Sequence, residues 1–269
     1  MSIPHQPTPS TAAGHQRREE PSWLVPGLLV IVAAFIVFSP WPLTEKLRAT
    51  SRAVSASIPS HMLALGHDVL PMNARSTGIY LGVLVAVGLL LVTGRGRANR
   101  FPPTAPLALL AGFLLAMTVD GVNSLLTTLG ATDPAVHAWY RPSNTVRVVT
   151  GGFAGLAMGL LSASVVNAVV WKHSAERVVE DLGELSGYLI VTVLVILIIL
   201  RQLPALYWPL ALLSVGGFLV LATMVNMITV VLSLRRERRA TTWRETLPLS
   251  LAALILALSE VSAINLLHH

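Results

Sequence analysis

The sequence predicts an all-α integral membrane protein, built as a bundle of about seven transmembrane helices. Of its 269 residues, 54% are hydrophobic and only 12% are charged, and the mean hydropathy is +0.68. Several apolar stretches approach the roughly 20 residues that a helix needs to cross a bilayer. The basic residues lie in short segments between these stretches, as the positive-inside rule predicts. The lipid bilayer is therefore the expected partner, and nucleic acid is not.

The predicted elements begin with a polar tail. Residues 1–22 contain prolines and charged residues but almost no large apolar side chains, which predicts disorder. We expect residues 23–269 to form the transmembrane domain. Its spans are predicted at 23–40, 77–93, 104–128, 145–171, 187–203, 205–233 and 246–266.

Three connecting segments carry further signals. Residues 173–186 place valines and leucines among acidic residues, which predicts a short helix. Only Gln202-Leu203-Pro204 separates the fifth and sixth spans, so we expect these two to form a tight helical hairpin. The apolar residues Leu43, Leu47, Val54 and Ile58 follow near-helical spacing, and basic residues lie between them. This pattern predicts an interfacial amphipathic helix on the outer surface.

The basic residues also predict the orientation of the bundle. With the N-terminus inside, twelve arginines and lysines fall on the cytoplasmic side and seven on the outer side. The loops 94–100 and 235–239 are short and strongly basic, and short loops are where the positive-inside rule is most reliable. We therefore expect the N-terminus inside and the C-terminus outside.

A polar stripe within the third span marks the candidate site. Asp120 lies in the apolar stretch 107–129, and Asn123, Ser124 and Thr127 follow on the same helical face. A charged residue at the centre of a membrane helix costs roughly 2.5 to 3.5 kcal/mol on insertion scales, so such residues usually face a partner, a cavity or a substrate path. We therefore interpret Asp120 and Asn123 as site residues.

The predicted orientation brings three more ionisable residues to the depth of Asp120. Arg75 precedes the second span, Arg147 opens the fourth, and Glu260 lies in the outer half of the seventh. The positive end of the fourth helix, together with Arg147, would point toward the site. Such an arrangement suits an anion, whether this is Asp120, a lipid headgroup or a solute.

Each of these residues also has a structural interpretation. Asp120 can form an ion pair with Arg75 or Arg147 that only fixes helix packing. Arg75 alone can extend its guanidinium to the interface, and Glu260 can reach water near its helix end.

Small residues at intervals of four predict close packing of the second and fourth spans. Such spacing lets helix backbones approach one another within a membrane. The residues are Gly78, Gly82 and Ala86 in the second span, and Gly151, Gly155, Gly159 and Ala163 in the fourth.

No motif predicts a metal or a cofactor, and we expect neither. His61, His67 and Asp68 lie on the predicted outer loop, but their spacing matches no strong metal-binding pattern. Phosphate-binding glycine loops, zinc-protease helices and serine nucleophile elbows do not appear. Cysteine is absent, which excludes disulfides and thiolate ligands.

Three sequence blocks resemble a known family. The blocks are residues 70–82 (LPMNARSTGIYLG), Asp120-Gly121 and residues 143–151 (SNTVRVVTG). In order and spacing, over about 60–165, they resemble the prokaryotic membrane proteins grouped as domain of unknown function 2085. The resemblance implies a prokaryotic plasma membrane protein but no particular activity. It also implies that the family signature positions are occupied here by Arg75, Gly78, Tyr80, Asp120, Arg147 and Gly151.

The chain departs from this family at its cysteines. The family box typically reads Cys-x-Arg-Cys-x-Gly and follows a Cys-His element, whereas the two box positions are Asn73 and Ser76 here. A thiol redox or cysteine-metal role therefore cannot operate in this chain. We interpret it as a diverged member in which either the arginine and aspartate frame performs the function or the function is lost.

Three functional hypotheses follow. The first is binding or translocation of a small anionic solute or lipid headgroup, with Arg147 and Arg75 contacting the anion. Asp120 would then balance these arginines or carry a proton. The second is a membrane enzyme acting on a lipid-linked phosphate substrate, with Asp120 as general base and the arginines holding the phosphate. The third is a structural or accessory membrane subunit whose ion pairs hold helices together. The predicted substrate-binding residues are Arg75, Tyr80, Asp120, Asn123, Arg147 and Glu260.

Overall fold

A computed structural model describes residues 42–55, 57–131, 133, 135–172 and 176–267. The predicted tail and the predicted first span at 23–40 lie outside these residues. Within them the α-helices are α1 (Leu43–Arg52), α2 (Ala74–Val92), α3 (Thr104–Gly130), α4 (Asn144–Val170), α5 (Leu182–Leu200), α6 (Tyr207–Ser233) and α7 (Trp243–Leu267).

Helices α2 to α7 confirm the predicted membrane protein. Within the described residues, these 6 helices are long and apolar enough to cross a bilayer. They correspond to the second through seventh predicted spans. The chain is therefore a multi-pass helical membrane protein, while the side of the membrane on which each end lies stays a prediction.

Helix α4 is the centre of the bundle, and it packs most closely against α2. In its most apolar segment 61% of the residues are buried, compared with 17% for α3. A Cβ atom on Gly155 would overlap the carbonyl oxygen of Ile79, and one on Gly82 would overlap that of Gly152. The backbones of α2 and α4 are thus in direct contact, which confirms the packing predicted from the spacing of small residues.

A short hairpin that was not predicted from the sequence covers the end of the bundle where α2 and α4 begin. Strands β1 (Met62–Leu65) and β2 (Asp68–Asn73) pair in antiparallel fashion. The two-residue turn between them begins at Gly66, whose φ of 68° favours glycine. The buried side chains of Leu63, Leu65, Leu70 and Met72 pack against apolar residues of α5 and α6.

The predicted amphipathic helix is present in part as α1, which ends at Arg52, so Val54 and Ile58 lie beyond it. Its position at the membrane interface stays a prediction. Its Leu47 is only 6% exposed and belongs to the same apolar cluster as the hairpin. The polar residues Glu45 and Arg48 face outward and form an ion pair at 3.3 Å. This helix therefore presents its charged face away from the bundle.

The predicted short helix at 173–186 was wrong over residues 176–181, whereas residues 182–186 are helical as the start of α5. Residues 176–181 are not helical, and α5 begins directly at Leu182. Their backbone pairs with a neighbouring loop instead, because Arg100 N–H donates to the Glu176 carbonyl and Val178 N–H donates to the Arg100 carbonyl, both at 3.1 Å. The apolar side chains of Val178 and Val179 are fully buried by this contact.

The predicted tight hairpin of the fifth and sixth spans was also wrong. The connection between α5 and α6 is short, but α5 packs mainly on α4 and α2, whereas α6 packs mainly on α7 and α2. Gln202 adopts a φ of 49° and Pro204–Leu206 form a 3-10 turn. These local conformations redirect the chain, so the two helices diverge.

The connecting segments at the other end of the bundle are tied together by Asn167 of α4. Its side-chain amide donates to the carbonyl oxygens of Gly96 and Ala98 at 3.1 and 2.8 Å. Its oxygen accepts from the indole N–H of Trp171 at 3.0 Å. The guanidinium of Arg97 lies over the Trp171 ring at 4.4 Å. The basic loop after α2 is thereby held against the end of α4.

Candidate functional site

Asp120 lies at the centre of a buried polar cluster and is only 1% exposed. Its Oδ2 accepts a hydrogen bond from Arg75 Nη2 at 2.5 Å and a longer one from Thr150 Oγ1 at 3.4 Å. Its Oδ1 accepts from the Tyr140 hydroxyl at 2.6 Å. The carboxylate is therefore bound by side chains from α2, α4 and the loop after α3.

The cap of α2 positions Arg75. The Asn73 side chain accepts from the Ser76 N–H at 2.9 Å, which starts the helix and places Arg75 in its first turn. Arg75 Nη2 also donates to the Asp120 carbonyl at 3.2 Å and to Ser124 Oγ at 3.0 Å. The two positions at which the family typically has cysteine thus form the cap that directs Arg75 to α3.

Asn123 fixes the loop that carries Tyr140. Its side chain is fully buried. Its oxygen accepts from the backbone N–H groups of Trp139 and Tyr140 at 2.7 and 3.2 Å, and its amide donates to the Tyr140 carbonyl at 2.9 Å. Asn123 therefore places the Tyr140 hydroxyl against Asp120 and does not face an open site itself.

Arg147 lies in the first turn of α4 and is only 5% exposed. Ser143 caps this helix by accepting from the Val146 N–H at 3.3 Å. The guanidinium donates from Nη1 to Asn144 Oδ1 at 2.9 Å, while its buried Nε has no hydrogen-bond partner. Among the described residues, no carboxylate lies within 4.0 Å of it. Within the described chain, Arg147 is therefore a buried cation without an ion-pair partner, although the charge of Asp120 acts on it from a longer distance.

The charges of the cluster shift the pKa values of two residues outside the spans, His61 and Tyr140. Burial lowers the pKa of His61, and the positive charges of Arg147 and Arg75 lower it further. Burial raises the pKa of Tyr140 to about 12, and its hydrogen bond to Asp120 contributes. His61 is therefore mostly neutral at pH 7, and the local charge is that of two guanidinium groups and one carboxylate.

The predicted site residues divide into two groups. Arg75, Asp120 and Asn123 are brought together, with Arg147 beside them. Tyr80 instead packs its ring against Phe218 of α6, with the ring centroids 5.4 Å apart.

Glu260 also lies apart from this cluster. Its carboxylate accepts a hydrogen bond from the Asn226 amide at 2.9 Å, which links α7 to α6. Glu260 and Tyr80 thus each contribute to a contact between two helices.

Tyr140, Thr150 and His61 belong to the cluster but were not among the predicted site residues. Thr150 carried a signal, because it follows Arg147 by one helical turn. Tyr140 carried none, since an aromatic residue in a loop beside a span is also typical of the membrane interface. No group of three potential metal-ligating side chains occurs in the part of the chain that the structure describes.

The fold defines a multi-pass α-helical membrane protein, and arginine and aspartate side chains form a buried polar cluster near one end of it. Residues 56–161 match the family described as "predicted membrane protein (DUF2085)". This confirms the resemblance, and the matched segment contains Arg75, Tyr80, Asp120, Asn123 and Arg147. No curated protein and no solved structure matches the chain.

Proposed function

We propose that this protein binds a small anion at Arg147, in the form of a carboxylate or phosphate group of a solute or a lipid headgroup. The observation that carries the proposal is the burial of this guanidinium without an acidic partner among the described residues. A buried, unpaired charge is strongly unfavourable. An anion that reached Arg147 would relieve this cost.

The surrounding residues support an anion rather than a cation as the ligand. Asp120 balances Arg75 through a direct ion pair, so Arg147 is left as the excess positive charge. The first turn of α4 adds the partial positive charge of a helix N-terminus. Arg75 acts in this arrangement as a positioning residue that holds α2 and α3 together beside the site.

The interior of α4 favours binding over translocation. Between Gly151 and Ala163, the buried residues of this helix are glycines, alanines and leucines only. A charged solute moving along this face would lose its polar contacts. The expected location of the binding protein is the plasma membrane of a prokaryote.

A structural role is the second candidate, and one observation favours it. Asp120 accepts hydrogen bonds from Arg75, Tyr140 and Thr150, so helix packing alone accounts for this carboxylate. The same contacts disfavour the enzymatic hypothesis, because a substrate proton would have to displace one of these donors from a proposed general base.

The test compares two arginine variants of the full-length protein in detergent. Arg147→Gln removes the buried cation, and Arg141→Gln removes an exposed cation from the preceding loop. Binding of inorganic phosphate, acetate and a short-chain phosphatidic acid is measured by calorimetry. We expect at least about tenfold weaker binding in Arg147→Gln and little change in Arg141→Gln, since truncating a buried charge pair costs several kcal/mol.

The melting temperature without ligand separates the two candidates. If Arg147 serves binding, Arg147→Gln leaves the melting temperature unchanged or raises it, because an unpaired buried charge is removed. A lower melting temperature together with unchanged anion binding would overturn the proposed function and support a structural role. Comparison of phosphatidic acid with free phosphate then distinguishes a lipid headgroup from a solute.

A further inference from the structure

The connection between α6 and α7 carries a cluster of arginines without acidic partners. Arg235, Arg236, Arg238 and Arg239 are all exposed. Among the described residues, no carboxylate lies within 4.0 Å of any of them. The segment therefore forms a strongly positive surface at the end of the bundle remote from Asp120.

Two of these arginines line a cavity of about 180 Å³. Glu245 is the acidic residue in its wall, but its carboxylate accepts hydrogen bonds from the Thr241 N–H and hydroxyl, both at 2.9 Å, and from the Thr242 hydroxyl at 3.1 Å. It is thus engaged at the start of α7 rather than with the arginines. The lining residues are Arg236, Arg239, Ala240, Glu245 and Leu249.

The backbone that presents these arginines is fixed. Arg238 N–H donates to the Val169 carbonyl at 2.7 Å, and Ala240 N–H donates to the Val170 carbonyl at 3.2 Å. Arg235 and Arg238 have φ angles of 51° and 53°, a conformation that non-glycine residues rarely adopt. The segment is therefore held in one arrangement against the end of α4, which lowers the entropic cost of binding.

The surroundings of the cavity are apolar on the side of the helices. Leu249 lies in its wall and is 8% exposed. Trp243 and Leu234, at the neighbouring helix ends, are 41% and 56% exposed. Exposed tryptophan at a helix end is typical of the membrane interface. The region thus offers cations beside an apolar surface, which matches a phospholipid better than a free anion.

We propose that this cavity binds an anionic phospholipid, with its phosphate on Arg236 and Arg239 and its acyl chains along the adjoining ends of α6 and α7. The site is separate from the one at Arg147. Helix α4 has 27 residues and is about 40 Å long, and the two sites lie at its opposite ends. A failure of either proposal leaves the other intact.

The test compares two double variants of the full-length protein that lose the same charge. Arg236→Gln/Arg239→Gln removes the cations that line the cavity, and Arg235→Gln/Arg238→Gln removes neighbouring cations outside it. Binding of phosphatidylglycerol is titrated in neutral detergent by native mass spectrometry, with phosphatidylcholine as the uncharged comparison. We expect at least about tenfold weaker phosphatidylglycerol binding for the first variant and less than about threefold for the second.

Three results would overturn the proposal. Equal losses in both variants would indicate a diffuse charge effect rather than this cavity. Equal binding of phosphatidylglycerol and phosphatidylcholine would exclude recognition of the charge, and full competition by equimolar inorganic phosphate would indicate a free anion. The melting temperature without lipid reports folding, and the single variants Arg236→Gln and Arg239→Gln allow the same comparison if the double variant does not fold.

Discussion

Asp120 and Arg147 have opposite environments, although the sequence places them at the same depth. Asp120 accepts from three side-chain donors, whereas the buried Arg147 has an orphaned Nε and no carboxylate partner in the described chain. The sequence indicated that both are exceptional in apolar helices. It did not indicate which arginine pairs with Asp120, because that choice depends on side-chain reach across three helices.

The ion pair between Asp120 and Arg75 is expected to stabilise the fold. Asp120→Asn leaves Arg75 without its charged partner, and we expect a loss of about 3 kcal/mol and a lower melting temperature. Arg75→Gln is expected to have a similar effect. The double variant, measured by denaturation in detergent, is expected to lose less than the sum of the two single losses.

The matched control for these variants is Asp68→Asn, which removes an exposed carboxylate from the start of β2 at the same end of the bundle. It is expected to change the melting temperature little. If the stability lost in the double variant equals the sum of the losses in Asp120→Asn and Arg75→Gln, the pair contributes no interaction energy.

At the scale of the elements, the regular spacing of small residues predicted a helix contact correctly. Irregular backbone conformations could not be predicted from the sequence. The glycine and alanine intervals predicted the contact of α2 with α4, because four-residue spacing defines one helix face. The hairpin between Met62 and Asn73 was missed, since its strands have only 4 and 6 residues and three consecutive residues of the second strand are buried. The divergence of α5 from α6 was missed because it depends on the φ of Gln202.

The contact between α2 and α4 predicts a large difference between two glycine substitutions. Gly155→Ala introduces a Cβ that overlaps the Ile79 carbonyl oxygen, so we expect a loss of about 1 to 3 kcal/mol. Gly88→Ala is the control, because no atom lies within 4 Å of the added Cβ, and we expect a gain of about 0.5 to 1 kcal/mol. Melting in detergent measures both, and equal effects would contradict the close contact.

At the scale of the whole molecule, the predicted orientation governs how both proposed sites meet their ligands. The site at Arg147 lies at the end formed by the starts of α2 and α4, and the arginine cavity lies at the other end. With the N-terminus inside, the first would face outward and the second would face the cytoplasm. Sequence predicts this from basic residues in short loops, because charge near a span controls its insertion.

Cysteine labelling tests the orientation directly, since the chain contains no cysteine. Asp133→Cys and Glu237→Cys each introduce one thiol at an exposed position of a connecting segment. In intact cells, an impermeant maleimide is expected to label the first variant and not the second. Labelling after lysis is the control for accessibility, and the reverse pattern in intact cells would invert the orientation.

The backbone contact between α2 and α4 also limits how the proposed site at Arg147 can vary among relatives of this protein. Arg75 and Arg147 both lie in first turns of these two helices, and a Cβ on Gly151 would overlap the Arg75 carbonyl oxygen. The spacing between the two helix starts that carry these arginines is therefore set by main-chain contact. Relatives with this contact would keep the same spacing between the two helix starts. Differences in ligand preference at the proposed site would then arise from the loop that carries Tyr140.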